Sequence, residues 1–260
     1  MAYSSFGFIG GGRITWLLLK ALATRGKLPA NVTISDPDEK VLTKVQAIAP
    51  NCFQTVTDNK LAARAQIVFL SVHPPIVKDV LAEIKNELQP KSILISLAPV
   101  VSIEKMSTML GGFKRIIRMI PNAPSLIHQG YNPVVFTNGF PSNERADLNK
   151  LFHAWGEAPI VKEDKLEAYA IITAMGPTYF WPQWVKLQEL GKTFGLSDDE
   201  LIAGIPDMLK GAVNLMYDTD RPATEVMDLI PAYPIKDDET TIQDIFQTKL
   251  TALYNKLTGK

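Results

Sequence analysis

The segment that decides the fold lies near the amino terminus and reads Phe6-Gly-Phe-Ile-Gly10-Gly-Gly12-Arg-Ile-Thr15. It continues from a β-rich run, Ser5–Gly10, into a stretch with helical spacing whose apolar face consists of Ile14, Leu17, Leu18, Ala21 and Leu22. A strand, a glycine-rich turn and a helix in this order form the G-x-G-x-x-G fingerprint of a dinucleotide-binding site. Both the glycines and the flanking strand and helix match this fingerprint, so the sequence predicts a dinucleotide-binding site here.

The glycines of this turn have distinct physical roles. Gly10 permits the tight turn, and Gly12 lets the backbone approach a pyrophosphate at the amino terminus of the helix. Free N–H groups and the helix dipole favour negative charge at that position. We therefore predict cofactor contacts from the glycine segment, which comprises Gly10, Gly11, Gly12, Arg13 and Ile14. Thr15 stands where glycine or alanine is usual, a departure that affects the packing of the helix on the strand.

Asp36 follows the second β-rich run, Val32–Ser35, and lies 24 residues after Gly12. A carboxylate at this position can accept hydrogen bonds from the ribose hydroxyls of NAD. No arginine follows directly, as the 2′-phosphate of NADP would prefer. Asp36 thus favours NAD within a general expectation of NAD or NADP. The other interpretation, an Asp-Pro turn that caps the next helix, stays open.

The rest of the first 162 residues alternates apolar runs with helical patterns. The runs are Ile67–Val72, Ser92–Leu97, Arg115–Ile120 and Pro133–Phe136. This alternation predicts a doubly wound, mostly parallel α/β sheet of the Rossmann type, covered by helices on both faces.

After Lys162 the strand signal stops and helical patterns continue to the end. Ser197-Asp-Asp-Glu200 is a capping box that predicts a helix running to about Tyr217. Apolar residues spaced from Ile242 to Leu257 predict a last amphipathic helix. We therefore predict two domains, a dinucleotide-binding domain over residues 1–162 and an all-helical domain over residues 163–260.

The composition excludes several classes of function. The 27 basic and 27 acidic residues among 260 cancel, so no net field attracts nucleic acid or an anionic membrane. A single cysteine, Cys52, excludes an internal disulfide framework, and the three histidines are far apart in sequence with no second ligand nearby, so we expect no metal site. Neither a signal peptide nor a membrane-spanning stretch is recognisable, so we expect a cytoplasmic protein with neither membrane nor nucleic-acid partners.

Taken together, these motifs resemble the pyrroline-5-carboxylate reductase family over nearly the whole chain. The opening glycine segment is similar to the start of the family, and Val68-Phe-Leu-Ser-Val72-His73-Pro74 is similar to its strand and turn, with His73 replacing a lysine. Arg118-Met-Ile-Pro121-Asn122-Ala-Pro124 is similar to the Met-Pro-Asn-Thr-Pro signature, with Ala123 replacing threonine. Ala174-Met-Gly176-Pro177-Thr178-Tyr179 stands where the family has Gly-Ser-Gly-Pro-Ala-Tyr.

The resemblance implies hydride transfer from a reduced nicotinamide to the C=N bond of a cyclic imine. It implies cofactor contacts from Asn59, Ser71, Val72, His73, Pro74, Ala98 and Asn122, and a reaction site that draws on Asn122, Thr178, Thr240 and Thr241. It also implies a homodimer or larger assembly through the helical domain. The apolar residues Met175, Phe180, Trp181 and Trp184 point the same way, although an ordinary core within one chain would also use them.

The sequence departs from the family where the substrate carboxylate is expected. The family has a Ser-Pro-Gly-Gly-Thr-Thr turn, whereas this chain reads Leu229-Ile-Pro231-Ala-Tyr-Pro234-Ile-Lys-Asp-Asp-Glu-Thr240-Thr241. If Pro231 is the matching proline, bulky side chains fill the anion-binding turn. If the two threonines match instead, three acidic residues crowd the same place, and the threonines serve equally well as caps of the last helix.

Three functions therefore remain open at this point. The first is a nicotinamide-dependent reductase of the pyrroline-5-carboxylate reductase type, acting on that imine or on another imine or ketone. The second is a ketone or hydroxyacid dehydrogenase, for which His73 and Tyr179 are the candidate proton donors. The third is a dinucleotide-binding sensor without catalysis.

Overall fold

The computed structural model describes residues 3–260. Its main sheet has seven strands in the order β3-β2-β1-β4-β5-β6-β8. These strands are β1 (Ser5–Ile9), β2 (Asn31–Ser35), β3 (Phe53–Val56), β4 (Ile67–Leu70), β5 (Ile93–Ser96), β6 (Ile116–Met119) and β8 (Val134–Phe136). A small second sheet pairs β7 (Gly130–Tyr131) with β9 (Gly156–Glu157).

The main sheet is parallel except at one edge, where β8 runs antiparallel to β6. The order of the first six strands is that of a doubly wound nucleotide-binding sheet. The prediction of a mostly parallel Rossmann-type sheet is therefore confirmed. Strand β3 is not among the strands predicted from sequence, because this edge strand has no apolar run and Phe53 is its one buried residue.

Helices connect the strands and cover the sheet. They are α1 (Arg13–Thr24), α2 (Glu39–Gln46), α3 (Asn59–Ala63), α4 (Val77–Ile84), α5 (Ile103–Met109) and α6 (Ser142–Phe152). Beyond the sheet, a 3-10 turn at Glu163–Lys165 leads into α7 (Leu166–Tyr169) and a π-helical turn, Ala170–Ala174. Further 3-10 turns lie at Pro74–Ile76 and Ala123–Ile127.

Aromatic side chains organise the core on one face of the sheet. The rings of Phe8 and Phe69 stack with centroids 4.4 Å apart, and Trp155 meets Phe69 edge-on at 6.0 Å. Trp155 is completely buried, and its indole N–H donates to the Leu18 carbonyl at 3.0 Å. The buried indole nitrogen therefore costs no unsatisfied hydrogen bond, since it donates to a carbonyl of α1.

The chain divides into two compact units. The first extends to Met175 and also includes Leu253–Lys260, and the second is Gly176–Ala252. The division between compact units thus falls after Met175, while the functional boundary that we place between residues 162 and 163 stays a prediction.

Helices make up the second unit and the end of the chain. They are α8 (Pro177–Thr193), α9 (Asp198–Tyr217), α10 (Ala223–Met227) and α11 (Glu239–Thr258), with a 3-10 turn at Lys236–Asp238. The predicted capping box is present, with Ser197 as the N-cap of α9 and Glu200 closing it. Among residues 3–260, no helix is both long enough and apolar enough to cross a membrane.

Candidate active site

The carboxyl ends of five neighbouring strands lie at one level of the sheet. Ile9 pairs with Ser35 on one side and with Leu70 on the other, Leu70 pairs with Ser96, and Ser96 pairs with Arg118. The residues that follow this line begin the loops at the carboxyl edge. In open α/β sheets, ligands bind at this edge, where the strand order reverses. The register therefore brings most of the residues predicted from sequence to one edge of the first unit.

The glycine segment takes the shape that the fingerprint predicts. Gly10 has a φ of +97°, and a Cβ there would lie 2.6 Å from the Ser71 carbonyl oxygen. The turn thus requires glycine for both its conformation and its contact with the loop after β4. Thr15, the departure noted above, is buried, and its hydroxyl donates to the Gly10 carbonyl at 2.6 Å. That hydrogen bond explains how threonine is accommodated at this position.

The space above α1 is open at Gly12. A Cβ at Gly12 would meet no other atom within 4 Å, and within the described chain no side chain caps this end of α1. Next to it lies a cavity of about 480 Å³, lined by Gly11, Gly12, Arg13, Trp16, Leu17, Val41, Lys44, Val45 and Ala123. Unbound N–H groups, two cationic side chains and open space beside them fit a pyrophosphate at this helix terminus. Ile14, also predicted here, is half-buried in the first turn of α1.

Asp36 is both a turn residue and a brace for the glycine segment. Its Oδ1 accepts from the Asp38 N–H at 2.9 Å, which forms the turn before α2. Its Oδ2 accepts from the Gly11 N–H at 2.8 Å. The two interpretations of Asp36 are thus compatible, because each carboxylate oxygen retains a further lone pair for a ribose hydroxyl.

Asn59 begins α3, and its side chain already has two partners. Its Oδ1 accepts from the Ser35 hydroxyl at 2.8 Å, and its Nδ2 donates to Glu83 at 2.8 Å. Asn59 therefore links the end of β2 to α4. Its predicted contact with a cofactor stays a prediction.

The loop after β4 contains four predicted cofactor residues, Ser71, Val72, His73 and Pro74. The Ser71 hydroxyl is buried and has no hydrogen-bond partner among the described residues, and the same is true of the Ser96 hydroxyl at the end of β5. Two unpaired buried hydroxyls at a ligand-binding edge mark polar groups that the protein itself leaves unsatisfied. His73 is exposed and precedes the 3-10 turn, while Val72 and Pro74 are half-buried.

Asn122 follows β6, and its side chain already has hydrogen-bond partners within the protein. Its Oδ1 accepts from the Tyr131 N–H at 3.1 Å, and its Nδ2 donates to the Thr173 carbonyl at 3.4 Å. Its own N–H donates to Asn132 Oδ1 at 3.1 Å, which also accepts from the Ser125 hydroxyl. Ala98, on the neighbouring loop, is buried at the same edge.

The other predicted reaction-site residues belong to the second unit. Thr178 is the second residue of α8 and is exposed. Thr240 and Thr241 are exposed and lie inside the first turn of α11, which begins at Glu239. The interpretation of these threonines as N-caps is therefore wrong, because the helix starts before both of them. Asn122 and the glycine segment thus lie in the first unit, and the three threonines lie in the second.

The turn expected to bind a substrate carboxylate has its own internal bonds. The Tyr233 hydroxyl donates to the Met227 carbonyl at 2.5 Å, and the Lys236 ammonium lies 5.5 Å from the centre of the Tyr233 ring. The Lys236 and Asp238 N–H groups donate to the carbonyls of Tyr233 and Ile235. These two amides and the lysine charge are therefore engaged within the turn itself.

An ionic cluster around the buried Arg118, not predicted from sequence, lies at this edge of the sheet. Arg118 is 2% exposed, and its guanidinium contacts Glu163 at 3.0 Å and Glu167 at 2.6 Å. Glu167 also accepts from the Val100 N–H at 3.0 Å, and Glu163 from the Ile103 N–H at 2.7 Å. A signal existed in the sequence, since an arginine inside the apolar run Arg115–Ile120 requires a buried partner.

Metal ligation has no support in the described part of the chain. No group of three or more His, Cys, Asp or Glu side chains is placed there so as to hold an ion.

This chain is similar to known proteins in sequence and in fold. The family model described as NADP oxidoreductase coenzyme F420-dependent matches residues 5–99. The pyrroline-5-carboxylate reductase of Escherichia coli is 24% identical over 226 residues, covering 86% of this chain and 83% of the relative. That of Methanosarcina acetivorans is 25% identical over 248 residues, covering 94% and 89%. The structure of Plasmodium falciparum pyrroline carboxylate reductase with NADP bound superposes with a TM-score of 0.79 at 21% identity, covering 98% of this chain and 95% of that one.

The sheet order and the glycine segment define the class of protein, an oxidoreductase of the Rossmann type that uses a nicotinamide dinucleotide. Within that class, this chain is similar in sequence to pyrroline-5-carboxylate reductases over most of its length.

Proposed function

We propose that this protein is an NAD(P)-dependent reductase that transfers hydride to the C=N bond of a cyclic imine. The main support is the open space at Gly12, at the start of α1, which we call the cradle. It follows β1, whose carboxyl end is in register with those of β2, β4, β5 and β6. The relatives are named pyrroline-5-carboxylate reductases, and this supports a small cyclic imine as the substrate. With cofactor bound, the reduced nicotinamide supplies the hydride.

The residues suit imine reduction better than ketone reduction. A protonated imine is already electrophilic, so positioning contributes more than a strong acid does. Of the two candidate proton donors, His73 is exposed, and Tyr179 packs edge-on against Phe246 with centroids 5.8 Å apart. Burial raises the pKa of the Tyr179 hydroxyl, so at neutral pH it keeps its proton. Neither the ketone dehydrogenase nor the non-catalytic sensor is favoured.

Turnover of 1-pyrroline-5-carboxylate itself should be weak. The proposal rests on the turn between Leu229 and Thr241, where the Lys236 and Asp238 amides have partners inside the turn and Lys236 lies over Tyr233. Each lost hydrogen bond to a charged carboxylate costs roughly 1.5–3 kcal/mol. Losing two or three would lower kcat/KM by several powers of ten, at about 1.4 kcal/mol per factor of ten.

A paired assay tests both proposals. Oxidation of NADH and of NADPH is followed with 1-pyrroline-5-carboxylate and with 1-pyrroline, which lacks the carboxylate. We expect turnover with both imines at similar efficiency, with kcat/KM for the carboxylate below about 10⁴ M⁻¹s⁻¹. A large preference for the carboxylate substrate would show that the altered turn still binds it. An absence of turnover with any imine, despite cofactor binding, would contradict the reductase itself.

We also propose that the enzyme prefers NADH to NADPH. Asp36 is held by Gly11 and Asp38, and the carboxylates of Asp38 and Glu39 follow it. A 2′-phosphate would meet these negative charges, whereas a 2′-hydroxyl can donate to Asp36. The Plasmodium falciparum structure contains bound NADP, so under this proposal the two proteins differ in cofactor preference.

The cofactor preference is tested with dissociation constants measured by calorimetry. Asp36→Asn keeps an oxygen that can accept from Gly11 and removes the charge, so we expect the preference for NADH to fall about tenfold. Asp38→Asn, two residues further along the same turn, is the matched control and should change the preference less. Tighter binding of NADPH than NADH by the unchanged protein would contradict the role of Asp36.

A homodimer formed through the helical unit completes the proposal. Exposed apolar side chains are concentrated there, including Phe180, Val185, Phe194, Ile202, Val213 and Tyr217. Exposed apolar surface of this extent marks an interaction site, and closed twofold pairing is the commonest way for identical chains to cover it.

We place the enzyme in the cytoplasm, where the exposed free thiol of Cys52 stays reduced.

A further inference from the structure

Val100 is the feature of the first unit that the proposed reaction leaves unexplained. It has a φ of +79°, in the left-handed region, and its side chain is 40% exposed. A β-branched residue is strained in this conformation, and such residues persist only where their surroundings hold them in place. Val100 lies in the loop after β5, two residues beyond Ala98.

Its surroundings hold Val100 through a chain of buried polar contacts. The Val100 N–H donates to Glu167 Oε1 at 3.0 Å, and the same oxygen accepts from the Arg118 guanidinium at 2.6 Å. The side chains of Arg118 and Glu167 are 2% and 11% exposed. Buried, charge-assisted hydrogen bonds of this kind are stronger than neutral ones. Glu167 is separated from Val100 by 67 residues, so the contact comes from tertiary structure.

The loop from Ala98 to Val100 lies on the side of the sheet where the nicotinamide is expected. In a sheet of this order, the dinucleotide crosses the carboxyl edge, with its adenosine half over β1, β2 and β3 and its other half over β4, β5 and β6. Val100 follows β5, and Arg118 lies in β6 at the level where β5 ends. The strained loop and the ionic pair that restrains it are therefore on the half of the edge where the reacting ring is expected.

We propose that Glu167, anchored by Arg118, is a positioning residue that holds the Ala98–Val100 loop in its strained conformation for the nicotinamide end of the cofactor. This inference rests on the proposed function. It assigns to the ionic pair a role in binding one half of the cofactor. Glu163 contacts the same arginine but bonds to the Ile103 N–H, so it steadies α5 and not the strained residue.

Binding of two ligands, NADH and ADP-ribose, distinguishes a positioning role of Glu167 from a general contribution to stability. NADH requires the whole site, whereas ADP-ribose lacks only the nicotinamide ring and does not require the part of the site that holds that ring. For Glu167→Gln we expect NADH to bind about tenfold more weakly, since the hydrogen bonds from Val100 and Arg118 would no longer be made to a charged carboxylate. ADP-ribose should bind as tightly as it does to the unchanged protein. Glu163→Gln is the matched control, because it removes a carboxylate from Arg118 and leaves the Val100 contact intact.

A glycine variant provides the rescue. Glycine adopts positive φ without strain, so in the Val100→Gly background the Glu167→Gln change should weaken NADH binding less than about threefold. This comparison also serves if Glu167→Gln does not fold by itself. The positioning role is contradicted if Glu167→Gln weakens ADP-ribose as much as NADH, if it leaves both unchanged, or if glycine gives no rescue. Failure of the unchanged protein to bind either ligand would instead contradict the proposed function.

Discussion

At the scale of single residues, Gly12 and Gly10 have opposite surroundings although they are two positions apart. A Cβ at Gly12 meets nothing within 4 Å, whereas at Gly10 it meets the Ser71 carbonyl oxygen at 2.6 Å. We expect Gly12→Val to fold normally and to lose dinucleotide binding, because the branched side chain fills the space over the start of α1. Gly10→Val, the matched comparison, should lose stability by more than 1 kcal/mol. Calorimetric titration with NADH and thermal unfolding of both variants test this, and unchanged affinity in folded Gly12→Val would move the cofactor elsewhere.

Tyr3 gives a second prediction at this scale, on the dependence of stability on pH. Burial, with the charges of Glu144 and Asp147, raises the pKa of the Tyr3 hydroxyl to about 12. Because the folded-state pKa lies above the unfolded value, the stabilisation is complete below pH 10 and is lost as pH rises through 12. Since the side chain is half-exposed, we discount it to about 1 kcal/mol.

The measurement is urea unfolding of the unchanged protein and of Tyr3→Phe at about pH 9 and about pH 11.5. We expect the phenylalanine variant to lose about 1 kcal/mol less over this window, because it has no hydroxyl to ionise. Equal losses in both proteins would mean that Tyr3 has the same pKa folded and unfolded.

At the scale of elements, the start of α9 depends on one reciprocal pair. The Ser197 hydroxyl accepts from the Glu200 N–H at 3.3 Å, and the Glu200 carboxylate accepts from the Ser197 N–H at 2.8 Å. We expect Ser197→Ala to reduce the free energy of unfolding by about 1 kcal/mol. Ser142→Ala is the control, since Ser142 begins α6 and within the described structure no side chain caps that helix.

The Glu200 carboxylate accepts hydrogen bonds from the Ser197 N–H and from the Ser197 hydroxyl, and these lower the pKa of Glu200 below its ordinary value. A lowered folded-state pKa stabilises the protein above the unfolded pKa, and this contribution is lost as pH falls through the lowered value. The difference in melting temperature between Ser197→Ala and the unchanged protein should therefore shrink on the acid side, below about pH 4. A constant difference at all pH values would contradict the role of the carboxylate.

At the scale of the whole molecule, the helical unit leaves more apolar surface exposed than a solitary chain usually does. Ile202 on α9 is 64% exposed, and its helix also presents Met208, Val213, Leu215 and Tyr217. We expect a dimer at micromolar concentration in light scattering. Ile202→Asp should weaken it by about 2 kcal/mol or more per copy, because that is the contribution of one buried isoleucine.

Asn214→Asp, an exposed polar position on the same helix, is the control for added charge and should leave the dimer intact. Sedimentation velocity over a range of concentrations compares the two variants. A monomer in the unchanged protein, or equal effects of both substitutions, would contradict assembly through this face.

What the sequence by itself determined is local in origin. The glycine segment, the capping box at Ser197 and the apolar periodicity of α1 depend on residues within a few positions of each other. Turn conformation, N-cap hydrogen bonds and helix amphipathicity are all set at that range. The order of apolar runs then limits the topology to a parallel, doubly wound sheet. The fold and the position of the cradle follow from these signals.

Only the tertiary structure decided how distant residues meet at the carboxyl edge. The Val100 conformation depends on Glu167, and Glu167 depends on Arg118, at separations of 67 and 49 residues. Asn59 bonds to Ser35 and Glu83, each 24 residues away. No local pattern encodes such pairs, because a valine strained at positive φ is unfavourable by every local propensity. Its conformation exists because buried hydrogen bonds from remote elements offset the strain.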